Sequence, residues 1–159
     1  MFEIGDKVVH PSHGAGKVID IKEKNFLKES GYYYIIDLVA CAGIVMVPID
    51  NVQGIGLRPV SGRRVISHAM DILASTPDTL PSDFKERQAG VQEKLKTGNL
   101  IKITEVVRNL AGRNRQKGLT MADSRLYQRA QAFLASELAL ARGIELQEAM
   151  KQLQIALSD

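Results

Sequence analysis

VVHPSHGAGKVIDI, Val8 to Ile21, holds two histidines three residues apart and then Gly-Ala-Gly-Lys. The stretch can be read as a metal site, a phosphate loop, or a tight turn between two strands. A Walker-type phosphate loop needs a Gly five residues before the Gly-Lys pair, a hydroxyl residue after the Lys, and a helix behind it. Here Pro11 takes the early Gly position, Val18 follows Lys17, and the residues that follow alternate as a strand does. No helix dipole or hydroxyl ligand is offered, so a nucleotide site is rejected. Zinc needs at least a third protein ligand beside His10 and His13. His68 is the one other histidine, and Cys41 belongs to a separate hairpin, so no metal site is expected. What remains is a turn, started by Pro11, with Gly14 and Gly16 supplying positive φ.

Read as strand–turn–strand, this stretch sets the period of the first sixty residues. Lys7 to His10 and Lys17 to Ile21 flank the turn. Tyr32 to Leu38 and Ile44 to Val47 are aromatic or β-branched runs, and Gly54 to Pro59 offers a last short strand. Turn residues divide them at Pro11-Ser-His-Gly, Lys28-Glu-Ser-Gly, Cys41-Ala-Gly and Pro48-Ile-Asp-Asn. Five short antiparallel strands predict a small SH3-like or Tudor-like β-barrel.

After Ser61 the period becomes helical. Val65, Ile66, Ala69, Met70 and Leu73 share one face of a helix from Arg63 to Ala74, which Thr76-Pro77 ends. Ser82 is placed to cap a second helix ending at Gly98. Asn99 caps a third, with Ile103, Val106, Val107 and Leu110 inward. Thr120-Met-Ala-Asp123 has the form of a capping box before a long fourth helix ending at Gly143. Leu146, Met150, Leu153 and Leu157 mark a fifth. The expected fold is α+β in two modules: residues 1–60 a barrel, residues 61–159 a compact all-α domain of about five helices.

Charge divides along the same lines. Residues 1–60 carry six Lys/Arg against seven Asp/Glu, residues 61–130 thirteen against seven, and residues 131–159 two against four. The positive charge therefore sits in the helical part, as expected of a segment that meets a polyanion. No apolar run approaches the ~18 residues of a membrane span. The single cysteine and the acidic, Gly-broken N-terminus fit a reducing, cytoplasmic setting without a signal peptide. Glu86/Glu93 and Asp20/Glu23 lie beside lysines and read as solvated charge, and Ser12 has no orienting carboxylate near its histidines, so no catalytic constellation emerges.

FEIGDKVVHPSHGAGKV at the start, VPIDNVQGIGLRPV at the module boundary, and EVVRNL and KGLT…SELALA in the helical half resemble the CarD family of bacterial transcription regulators. The β module also resembles the polymerase-interacting domain of the transcription-repair coupling factor. The resemblance runs from Phe2 to about Arg142. It implies that the barrel binds the RNA polymerase β subunit and that the helical domain lies on promoter DNA at the upstream edge of the bubble. There a large aromatic side chain wedges into the minor groove and slows collapse of the open complex. It also implies no catalytic activity and no cofactor. A monomer is expected.

Carried over by position, the polymerase contact is strand addition at Ile44, Val45, Met46 and Val47, supported by Lys24. The family often has arginine at the positions of Lys24 and Met46. The wedge falls on Phe84, where the family usually has Trp, with Lys85, Arg87 and Lys94 meeting phosphates. The alternative for Phe84 is a first-turn anchor packed in the helical core. Arg113-Asn-Arg-Gln-Lys117 forms a further basic cluster, read as a solvated loop. A rival function is a protein-interaction adaptor on RNA polymerase that does not bind DNA.

Overall fold

The computed structural model describes residues 1–26 and 29–158. Its N-terminal part is an antiparallel sheet of β1 (Lys7–His10), β2 (Gly14–Phe26), β3 (Glu29–Leu38), β4 (Ile44–Pro48) and β5 (Arg58–Pro59), in the order β4-β3-β2-β1-β5. This is the strand order of a small Tudor-like barrel, with β4 and β5 at its margins. Alternation puts Val8, Val18, Tyr34, Ile36, Leu38, Val47 and Leu57 into one buried cluster. Phe2 closes one end: its ring meets Tyr34 edge-on at 5.8 Å, and its N–H donates to the Tyr34 hydroxyl at 2.8 Å.

Two strand expectations change. Of the turn expected at Lys28–Gly31, Lys28 lies outside the described residues, and Glu29 to Gly31 already belong to β3. Gly54 to Pro59 is not a strand throughout. A 3-10 turn at Ile49–Asn51 leads into α1 (Val52–Ile55), which Gly56 ends at φ +89°, leaving β5 only two residues. A residue with a side chain resists that left-handed angle, so the glycine makes the stop.

The helical part consists of α2 (Arg63–Ala74), α3 (Phe84–Lys96), α4 (Leu100–Gln116), α5 (Met121–Arg142) and α6 (Leu146–Ser158). Asn99 accepts from the Lys102 N–H and Thr120 from the Asp123 N–H, as their positions before α4 and α5 required. The α3 cap differs by one residue: Asp83, not Ser82, accepts the Glu86 N–H at 3.1 Å. Val65 also departs, being 42% exposed because α2 buries Ile66, Ala69 and Leu73, a line one residue away. Arg113 and Arg115 lie in the last turn of α4 rather than in a loop. The chain of α5 runs through the middle, with Ala130, Ala135 and Ala139 letting its neighbours approach closely. No described helix is long and apolar enough to cross a membrane.

The two parts share a core. Val9 and Ala15 of the sheet are buried in the same cluster as the helical residues, not with the barrel interior. They flank the turn with which VVHPSHGAGKVIDI begins, so that turn faces the helices.

Candidate functional site

Parity decides which side chains the sheet margin presents. Ile35 lies opposite Met46 on one side and Asp20 on the other, Tyr33 lies opposite Lys22, and Ile44 lies opposite Asp37. Since side chains alternate, Lys22, Lys24, Tyr33, Ile35, Ile44 and Met46 share one face, and Val45 and Val47 point the other way, into the barrel. Val47 is fully buried, Met46 is half-buried, and Ile44 is 59% exposed. Of the five residues expected at the polymerase contact, Lys24, Ile44 and Met46 therefore offer side chains, and Val45 and Val47 only backbone. A bulge between Val18 and Asp20 puts Ile19, also half-exposed, at the kink. Beyond β4 no further strand pairs among the described residues, which leaves a row of backbone donors and acceptors at that margin.

At the other candidate region, α3 begins with Phe84 directly after its cap. Phe84 is 54% exposed, so the core-anchor alternative does not hold. Lys85 beside it is exposed. Arg87 is a correction. It is only 2% exposed and cannot reach a phosphate, because its guanidinium is committed inside the domain. Its Nε and Nη2 donate to the Asp123 carboxylate at 3.2 and 2.9 Å, and Nη1 donates to the carbonyls of Pro81 and Ser82 at 3.2 and 3.1 Å. Asp123 is itself 1% exposed. Burial alone would push its carboxyl up. Hydrogen bonds from Arg87 and Thr120, with the guanidinium charge, outweigh that and hold it below the usual carboxylate range. Lys94 stands ten residues beyond Phe84, about 15 Å along the axis, and pairs with Glu105 at 3.8 Å. The structure thus brings Phe84 and Lys85 together, sets Lys94 apart and withdraws Arg87.

A third constellation joins the two regions. Arg58 of β5 meets Glu137 of α5 through two parallel bonds, Nη1 to Oε2 at 2.8 Å and Nη2 to Oε1 at 2.7 Å. The Ser61 N–H adds a third bond to Glu137 at 2.8 Å, and the Gly98 carbonyl accepts from Arg58 Nη2 at 2.9 Å. Glu137 is completely buried. Nearby, the Ala15 N–H donates to Ser136 Oγ at 3.0 Å and Lys7 Nζ to the Leu140 carbonyl at 3.0 Å. Gly14 has φ +84°, and a Cβ there would lie 2.8 Å from Ser136 Oγ. Gly16 has no positive φ; it is needed because a Cβ would lie 2.5 Å from the Asp37 carbonyl oxygen. The His10 and His13 rings lie 4.6 Å apart, tilted at 49°, and His10 Nδ1 accepts the Ser12 N–H, closing the turn. Burial, and then the charge of His13, holds the His10 imidazole below its ordinary value. The opening motif is thus, together with Arg58, the sheet's side of the joint between modules.

The chain matches two family descriptions in succession: the CarD-like/TRCF RID domain over residues 2–61 and the CarD C-terminal domain over residues 68–154. The chain belongs to the CarD family. It is also 35% identical over 144 residues to the putative transcription factor YdeB of Bacillus subtilis (strain 168), covering 91% of this chain and 94% of that protein. CarD-family membership makes it a transcription factor of that type, with an N-terminal domain of the kind that interacts with RNA polymerase. In this CarD-family chain, sequence reasoning missed Arg58, Glu137 and Asp123. A signal existed for one of them: Glu137 sits in LASELALA, where a lone charge in an apolar helical run implies a buried partner.

Proposed function

We propose that the protein binds the RNA polymerase β subunit by adding β4 to an edge of that subunit's sheet, and holds promoter DNA at the upstream edge of the bubble with the start of α3. Ile44 and Met46 supply apolar contact beside the backbone bonds, and Lys24 a single cationic one. Phe84 slides between base steps on the minor-groove side, and Lys85 meets a flanking phosphate. The opened, distorted duplex accepts the ring better than the closed one, so the open complex gains stability by population shift and no catalytic step is needed. The observation that carries this reading is the exposure of Phe84, a 54% exposed aromatic at the start of a helix in the basic part of the chain. The joint supports it: a buried ion pair between sheet and α5 holds the two contact regions at a set separation.

The test is the lifetime of promoter open complexes with and without the protein, joined to duplex binding over a range of salt. Longer lifetimes and affinity that falls steeply with salt, as counterion release requires, uphold the reading. Retained polymerase binding with no effect on lifetime and no duplex binding at any salt would make the protein an adaptor instead.

A further inference from the structure

Resting on the reading of Phe84 as the wedge, we infer that Arg87 and Asp123 are positioning residues that hold the ring out of the protein by pinning the approach to α3. Arg87 is one helical turn after Phe84 and faces inward, and it ties two other segments to its own helix. Its Nη1 spans the carbonyls of Pro81 and Ser82, the two residues just before the Asp83 cap. Its other nitrogens fork onto Asp123 in the first turn of α5. Asp123 is fixed in turn by the Thr120 cap, whose hydroxyl accepts the Asp123 N–H at 3.1 Å.

A continuous set of hydrogen bonds therefore runs from the cap of α5, through the buried pair, to the backbone that delivers Phe84. The first turn of α3 has little else to hold it. Pro81 to Glu86 are all exposed, and the first buried residue of the helix is Arg87 itself. An exposed phenyl ring at a helix start has an apolar alternative, namely to turn inward toward the helical core, against which the partly buried Leu80, four residues before it, already packs. The planar fork opposes this, because it fixes the direction in which the chain enters α3. Lysine at the same place would keep the charge and lose the geometry. It could satisfy the carboxylate, but not the carboxylate and both carbonyls.

The chain contains no tryptophan, so Phe84→Trp makes a single indole at the wedge position, excited at wavelengths that the four tyrosines do not absorb. The experiment reads acrylamide quenching of that introduced indole, and separately open-complex lifetime, in the presence and absence of Arg87→Lys and Asp123→Asn, at temperatures well below each variant's Tm. Expected are strong quenching of the indole when the pair is intact and at least a two-fold fall in quenching constant with either substitution. Arg87→Lys should also shorten the lifetime several-fold in the Phe84 protein and leave it unchanged in a Phe84→Ala background, since it acts through the ring. Unaltered quenching with both variants, or an equal fractional loss of lifetime in both backgrounds, overturns the positioning role and leaves a pair that only adds stability. If Phe84→Ala itself leaves the lifetime unaltered, the wedge fails; quenching of the indole then still decides whether the pair orients the ring. Should Arg87→Lys not fold, Asp123→Asn carries both readouts.

Discussion

Replacing Glu137 by Gln cuts the joint between sheet and helices with almost no change in volume. The carboxylate receives two guanidinium bonds at 2.8 and 2.7 Å and the Ser61 N–H at 2.8 Å, and it is wholly buried. Gln keeps one acceptor oxygen and turns an NH2 group toward one of the three donors, which must lose its partner or move. Breaking a buried ion pair from one side costs about 3–5 kcal/mol. Arg58 keeps 28% of its side chain exposed, so water recovers part of the guanidinium's hydration, and roughly 2–4 kcal/mol is expected here. For a chain of this size that lowers Tm by about 10 °C. Circular dichroism melting gives Tm, and hydrogen exchange at the Ala15 amide, which donates across the joint to Ser136, reports the local opening. Removing Lys22 from its surface pair with Asp20, where both partners are about half exposed at 3.9 Å, should change Tm by little. A shift for Glu137→Gln as small as that control, with Ala15 protection intact, would refute the assignment of the ion pair as the joint.

Other outcomes follow from the same geometry. Because the folded Asp123 carboxyl titrates below its unfolded value, its contribution is present above about pH 4 and is lost as pH falls through the depressed folded pKa. Urea midpoints from pH 7 to pH 3 should therefore fall less steeply for Asp123→Asn, which starts lower at neutral pH; parallel curves would contradict this. Gly14→Ala should cost about 1–3 kcal/mol, since φ is +84° and Ser136 Oγ blocks the Cβ; in a Ser136→Ala background, which already lacks the Ala15 N–H bond, only the backbone part of that cost should remain. A double variant as stable as Ser136→Ala alone would show the backbone angle to be free. Met46→Asp, half-buried beside Ile44 and opposite the buried Ile35, should lower Tm by no more than about 5 °C and weaken binding to the polymerase β subunit at least ten-fold, roughly 1.4 kcal/mol. Unchanged affinity would move the contact off this margin.

How far the fold could be read in advance depended on whether its causes were local. Tyr34, Ile36 and Leu38 announce a half-buried strand by alternation, and Asn99, Thr120 and Gly143 mark helix ends through bonds or angles within a few residues. Val65 and Ser82 failed by one residue, the distance over which a helix face turns or a cap shifts. Gly54-Ile-Gly, read as the start of a last strand, instead closes a short helix, and the residue that follows, Leu57, packs into the barrel core. The site was less legible for the same reason. Phe84 and Lys85 stand on the surface, where the resemblance expected them. Arg87 looks like its basic neighbours, but its partner is 36 residues away, and only folding turns a candidate phosphate ligand into a buried pin. Arg58 and Glu137, 79 residues apart, carry no pairwise pattern at all. Composition rightly put the cations in the helical part, yet which cations face solvent is a tertiary fact.

The most direct measurement is the dissociation half-life of a promoter open complex held by the full-length protein and by its Phe84→Ala variant, at equal occupancy of the polymerase. Burying a Phe side chain fully is worth about 1.5–3 kcal/mol, and the free ring is already roughly half covered. The wedge should therefore supply about 1–1.5 kcal/mol, a five- to twelve-fold loss of half-life in the variant. Equal half-lives, with polymerase binding intact in both, would contradict the account.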